Sequence, residues 1–277
     1  MAGVYPSAGP VRTPAAGGGS ALECDQMAGA RPIGSGMRFL LYNIRYAAGT
    51  GARFNLPLPG AGYLLGNRDN LDAITEFIKA KNPDVVGLVE VDTGSVRTGM
   101  VNQAEVIARR LGHYSTYQCK YAEKSFNTRL PIVRKQANAF LAAPRVHGER
   151  FHYFDTGIKR LIIELELEDL AIFLVHLSLK YRHRHWQLRH LHDLVKASRK
   201  PVIVAGDFNT FWGEHEIYLF MQAAGLKSAN LEGLPSYPSH APRKELDFIL
   251  YGKGLAPTSF EVPRVRYSDH LPLICEF

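Results

Sequence analysis

Cysteine is scarce in this chain. Cys24, Cys119 and Cys275 are the only three in 277 residues, too few and too scattered for a disulfide framework or a C-x-x-C metal site. Reduced thiols and a cytoplasmic setting fit that usage. Long apolar runs are missing as well. The most apolar window, Leu170 to Leu179, is broken by His176 and falls well short of the roughly 18 residues of a membrane span. It has the length of a buried strand. The first 36 residues hold no apolar h-region, which argues against a secretory signal. No transmembrane segment is therefore expected, while peripheral attachment to a membrane stays open. No internal repeat is visible, and no linker divides residues 37–277. With 46% hydrophobic and 21% charged residues, the composition is that of a globular protein and excludes a wholly disordered, collagen-like or coiled-coil chain.

Residues 1–36 are crowded with Gly, Ala, Pro and Ser, and their two arginines balance Glu23 and Asp25. Such a segment buries too little apolar surface to offset its ordering entropy. A disordered tail is expected over 1–36, and one α/β domain over 37–277, with Met37 a candidate start. The formal charge of +7 and the pI of about 9.3 then belong to the domain. They favour anionic partners: nucleic acid, phosphoesters or an acidic membrane surface. A solvated basic surface would give the same balance.

From Met37 onward, strand and helix patterns alternate. Phe39–Ile44, Asp84–Leu88, Leu161–Leu167, Ala171–His176 and Val202–Ala205 read as buried strands. Leu71, Ile74, Phe77 and Ile78 recur at helical spacing behind Asn67 or Asp69 as a cap. Residues 102–111 form a second helix stopped by Gly112. Helices are also expected near 183–198 and 214–223. The last strands are expected at Leu246–Tyr251, Ser259–Val265 and Leu271–Phe277.

The informative polar residues end or interrupt these apolar runs. They are Asn43 and Arg45 at the end of the first strand, Glu90 after VVGLV, His176 after FLV, and Asp207 with Asn209 after VIVAG. Asp247 lies inside LDFIL, and Asp269-His270 precedes the last strand. Strand ends are where an α/β scaffold presents side chains to one crevice. Oxygen donors without cysteine suit a hard cation, Mg²⁺ or Mn²⁺. Imidazole and amide groups suit anchoring and protonating a phosphate. Jointly this is a constellation for metal-assisted phosphoester hydrolysis. Singly, each residue has a plainer reading. Asn43 is a turn former, Glu90 a solvated acid, His176 a core histidine, and Asp207 a cap. Asp247 is harder to dismiss, because a carboxylate between Leu246 and Phe248 needs a cationic partner if buried. His270 is the candidate.

Six segments, LLYNIRY, PDVVGLVEVD, LVHLSL, VIVAGDFNT, ELDFIL and YSDHLPL, resemble in order and interval the motifs of the endonuclease/exonuclease/phosphatase superfamily. That is the fold family of pancreatic deoxyribonuclease, abasic-site endonucleases, neutral sphingomyelinases and inositol polyphosphate phosphatases. The resemblance implies a four-layer α/β sandwich: two face-to-face mixed β-sheets flanked by helices. It implies that Glu90 binds the metal with Asn43 and Asp269 close by, and that Asp207 orients or deprotonates the attacking water. Asn209 would hold the water or a phosphate oxygen. His270 would contact the scissile phosphate with its ring fixed by Asp247. His176 would be a second phosphate contact or a proton donor. Asn138, in QANAFLA, lies where relatives often place a polar residue near the phosphate. Arg45 stands where abasic-site endonucleases carry an acid, so the Asn-Ile-Arg run is closer to the deoxyribonuclease branch and to many bacterial members. Val89 replaces the usual Gln before the family's Glu. The run from Asp92 through Ser95 and Arg97 to Gln103 is similar to a loop of sphingomyelinase-like and lipid-anchor-remodelling members. Ser95 and Arg97 are substrate-binding candidates on that ground, and an ordinary turn before a helix is the alternative.

The stretch Lys180–Lys200 carries seven Lys and Arg against Asp193, plus four histidines. Trp186, Leu191, Leu194 and Val195 are expected to face the core. The rest would form a solvated face or a nucleic-acid surface, and no carboxylate or cysteine completes a zinc site. The expectation is a monomeric, Mg²⁺-dependent phosphodiesterase of endonuclease type. The alternatives are a phospholipid or inositol-phosphate phosphoesterase, and a non-catalytic binding module on the same fold.

Overall fold

The computed structural model describes residues 36–49, 68–119, 133–154, 161–213 and 215–277. Residues 1–35 of the tail expected over 1–36, and the cap Asn67, lie outside the described residues. The elements, in order, are β1 (Arg38–Asn43), α1 (Arg68–Lys81), β2 (Val85–Asp92), α2 (Gln103–Leu111), β3 (Tyr114–Cys119), β4 (Gln136–Ala142), β5 (Gly148–Tyr153), β6 (Leu161–Glu166), β7 (Ala171–His176), α3 (Tyr181–Ala197), β8 (Val202–Asp207), α4 (His215–Ala224), β9 (Lys227–Ser228), β10 (Asp247–Tyr251), β11 (Ser259–Glu261) and β12 (Leu273–Glu276).

Two six-stranded sheets result, ordered β11-β12-β1-β2-β4-β3 and β5-β6-β7-β8-β10-β9. Each is built on a central parallel pair joined through a helix: β1–α1–β2 in one, β7–α3–β8 in the other. All other strand pairings among the described residues are antiparallel. A parallel pair needs a crossover connection, which the intervening helix supplies. The two halves thus repeat one plan that the sequence does not display as a repeat.

Period-two alternation fixes the layers. Phe39, Leu41, Val85 and Val89 point between the sheets, where they meet Ile163, Leu174, Ile203 and Ile249. Leu40, Tyr42, Val86 and Leu88 point outward to Leu71, Ile74 and Ile78 of α1 and to Ile107 of α2. On the far side, Phe173, Val175 and Val204 pack under Leu188, Leu191 and Val195 of α3 and Ile217 and Phe220 of α4. The order helices, sheet, sheet, helices is the expected four-layer sandwich. α2 starts as expected, with the Asn102 side chain accepting from Ala104 and Glu105, and ends on Gly112 in the left-handed region.

Two expectations are corrected. β11 stops at Glu261 rather than Val265, short of Pro263, whose ring nitrogen cannot donate to a ladder. In α3 the buried stripe is Arg184, Gln187, Leu188, Leu191 and Val195, and Trp186 is 54% exposed. Residues two apart on a helix do not share a face, so Leu188 at the core turns Trp186 outward.

Among the described residues, Arg184 is the largest fully buried side chain. Its guanidinium forms an ion pair with Glu216 of α4 and donates to the carbonyls of Ser178 (2.7 Å) and Leu179 (3.1 Å). Glu216 in turn accepts from the Trp212 backbone N–H at 3.1 Å. One buried pair therefore fastens the loop after β7 to the loop after β8. Removing one member strands a charge, which costs about 3–5 kcal/mol. Arg184→Met is expected to lose that much in denaturant unfolding, and Arg184→Met with Glu216→Leu to recover most of it. A loss below about 1 kcal/mol for the single variant would contradict the clamp.

Candidate active site

The four parallel strands all run toward the same edge, and the polar residues at their C-terminal ends meet there. Asn43 ends β1, Glu90 lies near the end of β2, His176 ends β7 and Asp207 ends β8. Register pairs His176 with Asp207 across the parallel ladder and Asp207 with Asp247 across the antiparallel one. The contacts bridge both sheets. Asn43 Nδ2 donates to Asp207 Oδ2 at 3.1 Å. His176 Nε2 lies 3.3 Å from Asp207 Oδ2 and 3.8 Å from Glu90 Oε1. His270 Nε2 lies 3.9 Å from Asp207 Oδ2, and its Nδ1 is 2.7 Å from Asp247 Oδ2. Asp207 is the hub of the cluster.

Local backbone geometry sets these positions. β2 carries a bulge: Leu88 pairs with Ala139 and Val91 with Ala137, so Val89 and Glu90 together oppose Asn138. Glu90 takes φ +58°, an uncommon value for a residue with a Cβ, of the kind found at functional sites. Val89 faces the inter-sheet core and Val91 the helix layer. The extra residue lets Glu90 leave that alternation. Its backbone N–H donates to Asn138 Oδ1 at 3.4 Å. Asn138 is fully buried, and its Nδ2 has no hydrogen-bond partner. Asn209 also has positive φ, +54°. Its N–H donates to Asp207 Oδ1 (2.9 Å) and its Nδ2 to the Leu177 carbonyl (2.8 Å). Arg45, again at positive φ, places Nε 3.6 Å from Asp269 Oδ2.

Asp247 has the cationic partner its buried position demands. Oδ2 accepts from His270 and from the Ser236 hydroxyl at 2.6 Å, while Oδ1 is buried without a partner. Burial alone would pull the His270 imidazolium down. The carboxylates of Asp247, Asp207 and Asp269 reverse that and hold it at about 10. Burial pushes the Asp247 carboxyl up, against the pull of His270. One proton shared by the pair satisfies both directions, and the second carboxylate at Asp207 favours the ring. A pH prediction follows from this sign. With an ordinary value of 6.5, the ring's contribution to stability is full below that pH, declines above it and is gone above about 10. Comparing melting temperatures of the protein and of His270→Gln across pH checks this. A difference that instead vanished toward acid pH would contradict it.

Not every expected residue opens to this cleft. Ser95 and the Arg97 guanidinium are both bonded to Asp92 and fully buried, and Arg97 also stacks 4.3 Å over the Tyr46 ring. The 92–103 segment is a braced turn into α2. Ser95 and Arg97 are not carried into the substrate contacts proposed below. Three residues were not visible as site residues in the sequence. Ser236 binds Asp247, Tyr237 sets its ring 4.9 Å from that of His270, and Ser268 donates to the Asn43 carbonyl at 2.7 Å. They come from loops remote in sequence, and no motif signals them.

Four carboxylates, Glu90, Asp207, Asp247 and Asp269, thus gather around His176, His270 and Arg45. Asp207, Asp247 and His270 bring ligand atoms within 4.8 Å of one another, a group able to hold a metal ion. A family model described as the endonuclease/exonuclease/phosphatase family matches residues 40–270. The chain belongs to that family. A UPF0294 protein of Yersinia pseudotuberculosis is 39% identical over 167 residues, 59% of this chain and 55% of that protein. The chain thus spans little more than half the length of the curated relatives it matches first. Among solved structures, an endonuclease/exonuclease/phosphatase from Beutenbergia cavernae superposes with a TM-score of 0.66 at 18% identity, covering 87% of this chain and 71% of its own. A mannosyl-6-phosphatase of Bacteroides thetaiotaomicron gives 0.63 at 13% identity, covering 86% and 98%. Both show the shared fold. No helix among the described residues is long and apolar enough to cross a membrane.

Proposed function

We propose that this family member is a Mg²⁺- or Mn²⁺-dependent phosphodiesterase that hydrolyses its substrate by in-line attack of water on phosphorus. The observation that supports this most is the hub at Asp207, which touches an amide and two imidazoles within one buried cluster. The excess of carboxylates over cationic groups fits a hard divalent cation. Asp247 Oδ2 already accepts from His270 and Ser236, and Asp207 Oδ2 from Asn43, so the trio's carboxylates are engaged with partners of their own. We therefore assign the metal to Glu90, with Asn43 and Asp269, and reserve the Asp207–Asp247–His270 trio for proton handling. A cation held there would polarise a phosphoryl oxygen and offset its developing charge.

Asp207 takes the proton of the attacking water. Asn209, with Nδ2 tied to Leu177, has Oδ1 for that water. His270, steadied by Asp247, Ser236 and Tyr237, donates to a phosphoryl oxygen. His176 is placed to protonate the leaving oxygen or hold a second phosphoryl oxygen. The unspent Nδ2 of Asn138 is a further phosphate donor, and Arg45 faces the diester's flanking charge. The mannosyl-6-phosphatase among the structural neighbours favours a monoester as the second reading.

Glu90→Gln is expected to keep the fold and to raise the Mg²⁺ concentration for half-maximal activity by at least about tenfold, the cost of disturbing metal affinity. Asp247→Asn should lower turnover with that concentration unchanged. The reverse pattern would place the metal on the trio. Turnover in ¹⁸O-labelled water tests the reaction itself. Label on the phosphorus product is expected, and label on the released alcohol would overturn attack at phosphorus.

A further inference from the structure

Outside the cleft, the largest unexplained feature is the open side of the α3/α4 layer. Both helices bury one face on the second sheet and present the other to solvent. That open side and the loops leading into it carry Leu179, Tyr181, Trp186, Trp212, Tyr218 and Leu219, between 54% and 77% exposed. Exposed aromatic and aliphatic side chains in this density are unusual on a soluble surface and mark an interaction site. Cations are interleaved with them: Lys180, Arg182, Arg189 and Lys196 are exposed, with Asp193 the one carboxylate on the same helix face. The basic count of this stretch is smaller than the sequence suggests, because Arg184 is spent on Glu216 and Lys200 on Glu166. Arg189 lies 5.9 Å over the Trp186 ring.

We propose that this face docks on an anionic phospholipid surface. Tryptophan and tyrosine favour the headgroup level of a bilayer, leucine the acyl boundary, and lysine and arginine the anionic headgroups. Nucleic acid would use the cations and the rings but gains nothing from Leu179 and Leu219, so the exposed leucines favour lipid. The face also adjoins the cleft. Leu179 follows His176 by three residues, and Trp212 follows Asn209 by three. Three residues of chain span at most about 11 Å. The Arg184–Glu216 clamp fixes both loops to the helices they introduce. Docking would therefore hold the mouth of the cleft against the bilayer surface, where phosphodiester headgroups lie. The proposal does not depend on the catalytic reading.

The chain supplies its own reporter, since Trp186 and Trp212 are its only tryptophans. Intrinsic fluorescence of the full chain is followed while vesicles of phosphatidylcholine, with and without phosphatidylglycerol, are added. A blue shift and quenching by brominated acyl chains are expected with the anionic vesicles. Neutralising Arg182 and Arg189 together should weaken partitioning roughly 30-fold, and Leu219→Glu should abolish the blue shift. Both variants should keep the far-ultraviolet spectrum and the turnover of a small soluble phosphodiester. Absence of any shift in the unaltered protein would overturn the proposal. So would a shift produced by single-stranded DNA and not by vesicles, which would assign the face to nucleic acid. A protein that binds vesicles but hydrolyses nothing would sink the catalytic reading alone.

Discussion

Asp207→Asn is expected to lower phosphoester turnover by about 10³-fold or more, with the fold retained. The magnitude is that of a lost general base. Asp207 Oδ2 is the atom to which Asn43, His176 and His270 all point, at 3.1, 3.3 and 3.9 Å. An amide keeps the size of the side chain and the bond from Asn209 N–H to Oδ1. It removes the negative charge and the proton-accepting oxygen together. Nearby carboxylates also lose a partner in holding the His270 proton, so the pH profile of residual activity should change with the rate. Turnover of one diester by purified protein and variant, with matched circular dichroism, checks the prediction. Equal rates would remove Asp207 from the chemistry, and an unfolded variant would show that the carboxylate serves the fold instead.

Gly206→Ala is expected to be the most damaging single substitution for stability, by more than about 4 kcal/mol, a loss reserved for a few mechanisms such as forced overlap. Gly206 pairs with Val175 in the parallel ladder between β7 and β8 and has φ +151°. A Cβ there would lie 1.9 Å from the Val175 carbonyl oxygen and 2.8 Å from its carbonyl carbon. Both atoms are backbone and cannot swing aside. The strands must separate where His176 faces Asp207. Denaturant unfolding measures the loss, and a change under about 1 kcal/mol would show that the two strands are not held this closely. The glycine of the AGDFN run is thus a packing requirement of the site, because the two strand ends can approach only if it carries no side chain.

What the sequence revealed follows a physical pattern. Asn43, His176 and Asp207 were legible because each ends a run of apolar residues, and a buried parallel strand has few other places for a polar group. Asp247 was legible because an acid between Leu246 and Phe248 demands a cation. The outline of the sandwich was legible from period-two alternation and from helices with one apolar stripe. The bulge that frees Glu90 from the alternation of β2 was not, since bulges depend on the partner strand. Arg184 read as one more surface cation, although Glu216, 32 residues away, draws it inward at the expense of Trp186. Ser236 and Tyr237 reach the site through a loop whose destination only the tertiary fold fixes. The turn at Ser95 and Arg97 looked like a substrate loop because Arg and Ser serve a buried carboxylate and a phosphate equally well, and Asp92 is the group they hold.

The cluster around Asp207 is proposed to hydrolyse phosphoesters with the help of a divalent metal. The most direct measurement is a substrate panel of plasmid DNA, RNA, phospholipid headgroup esters, inositol phosphates and bis-p-nitrophenyl phosphate. Purified protein is assayed with Mg²⁺, with Mn²⁺ and with a chelator. Turnover of at least one diester with either metal is expected, lost on chelation and restored when metal is added back. Turnover unaffected by the chelator, or none on any ester with either metal, would contradict it.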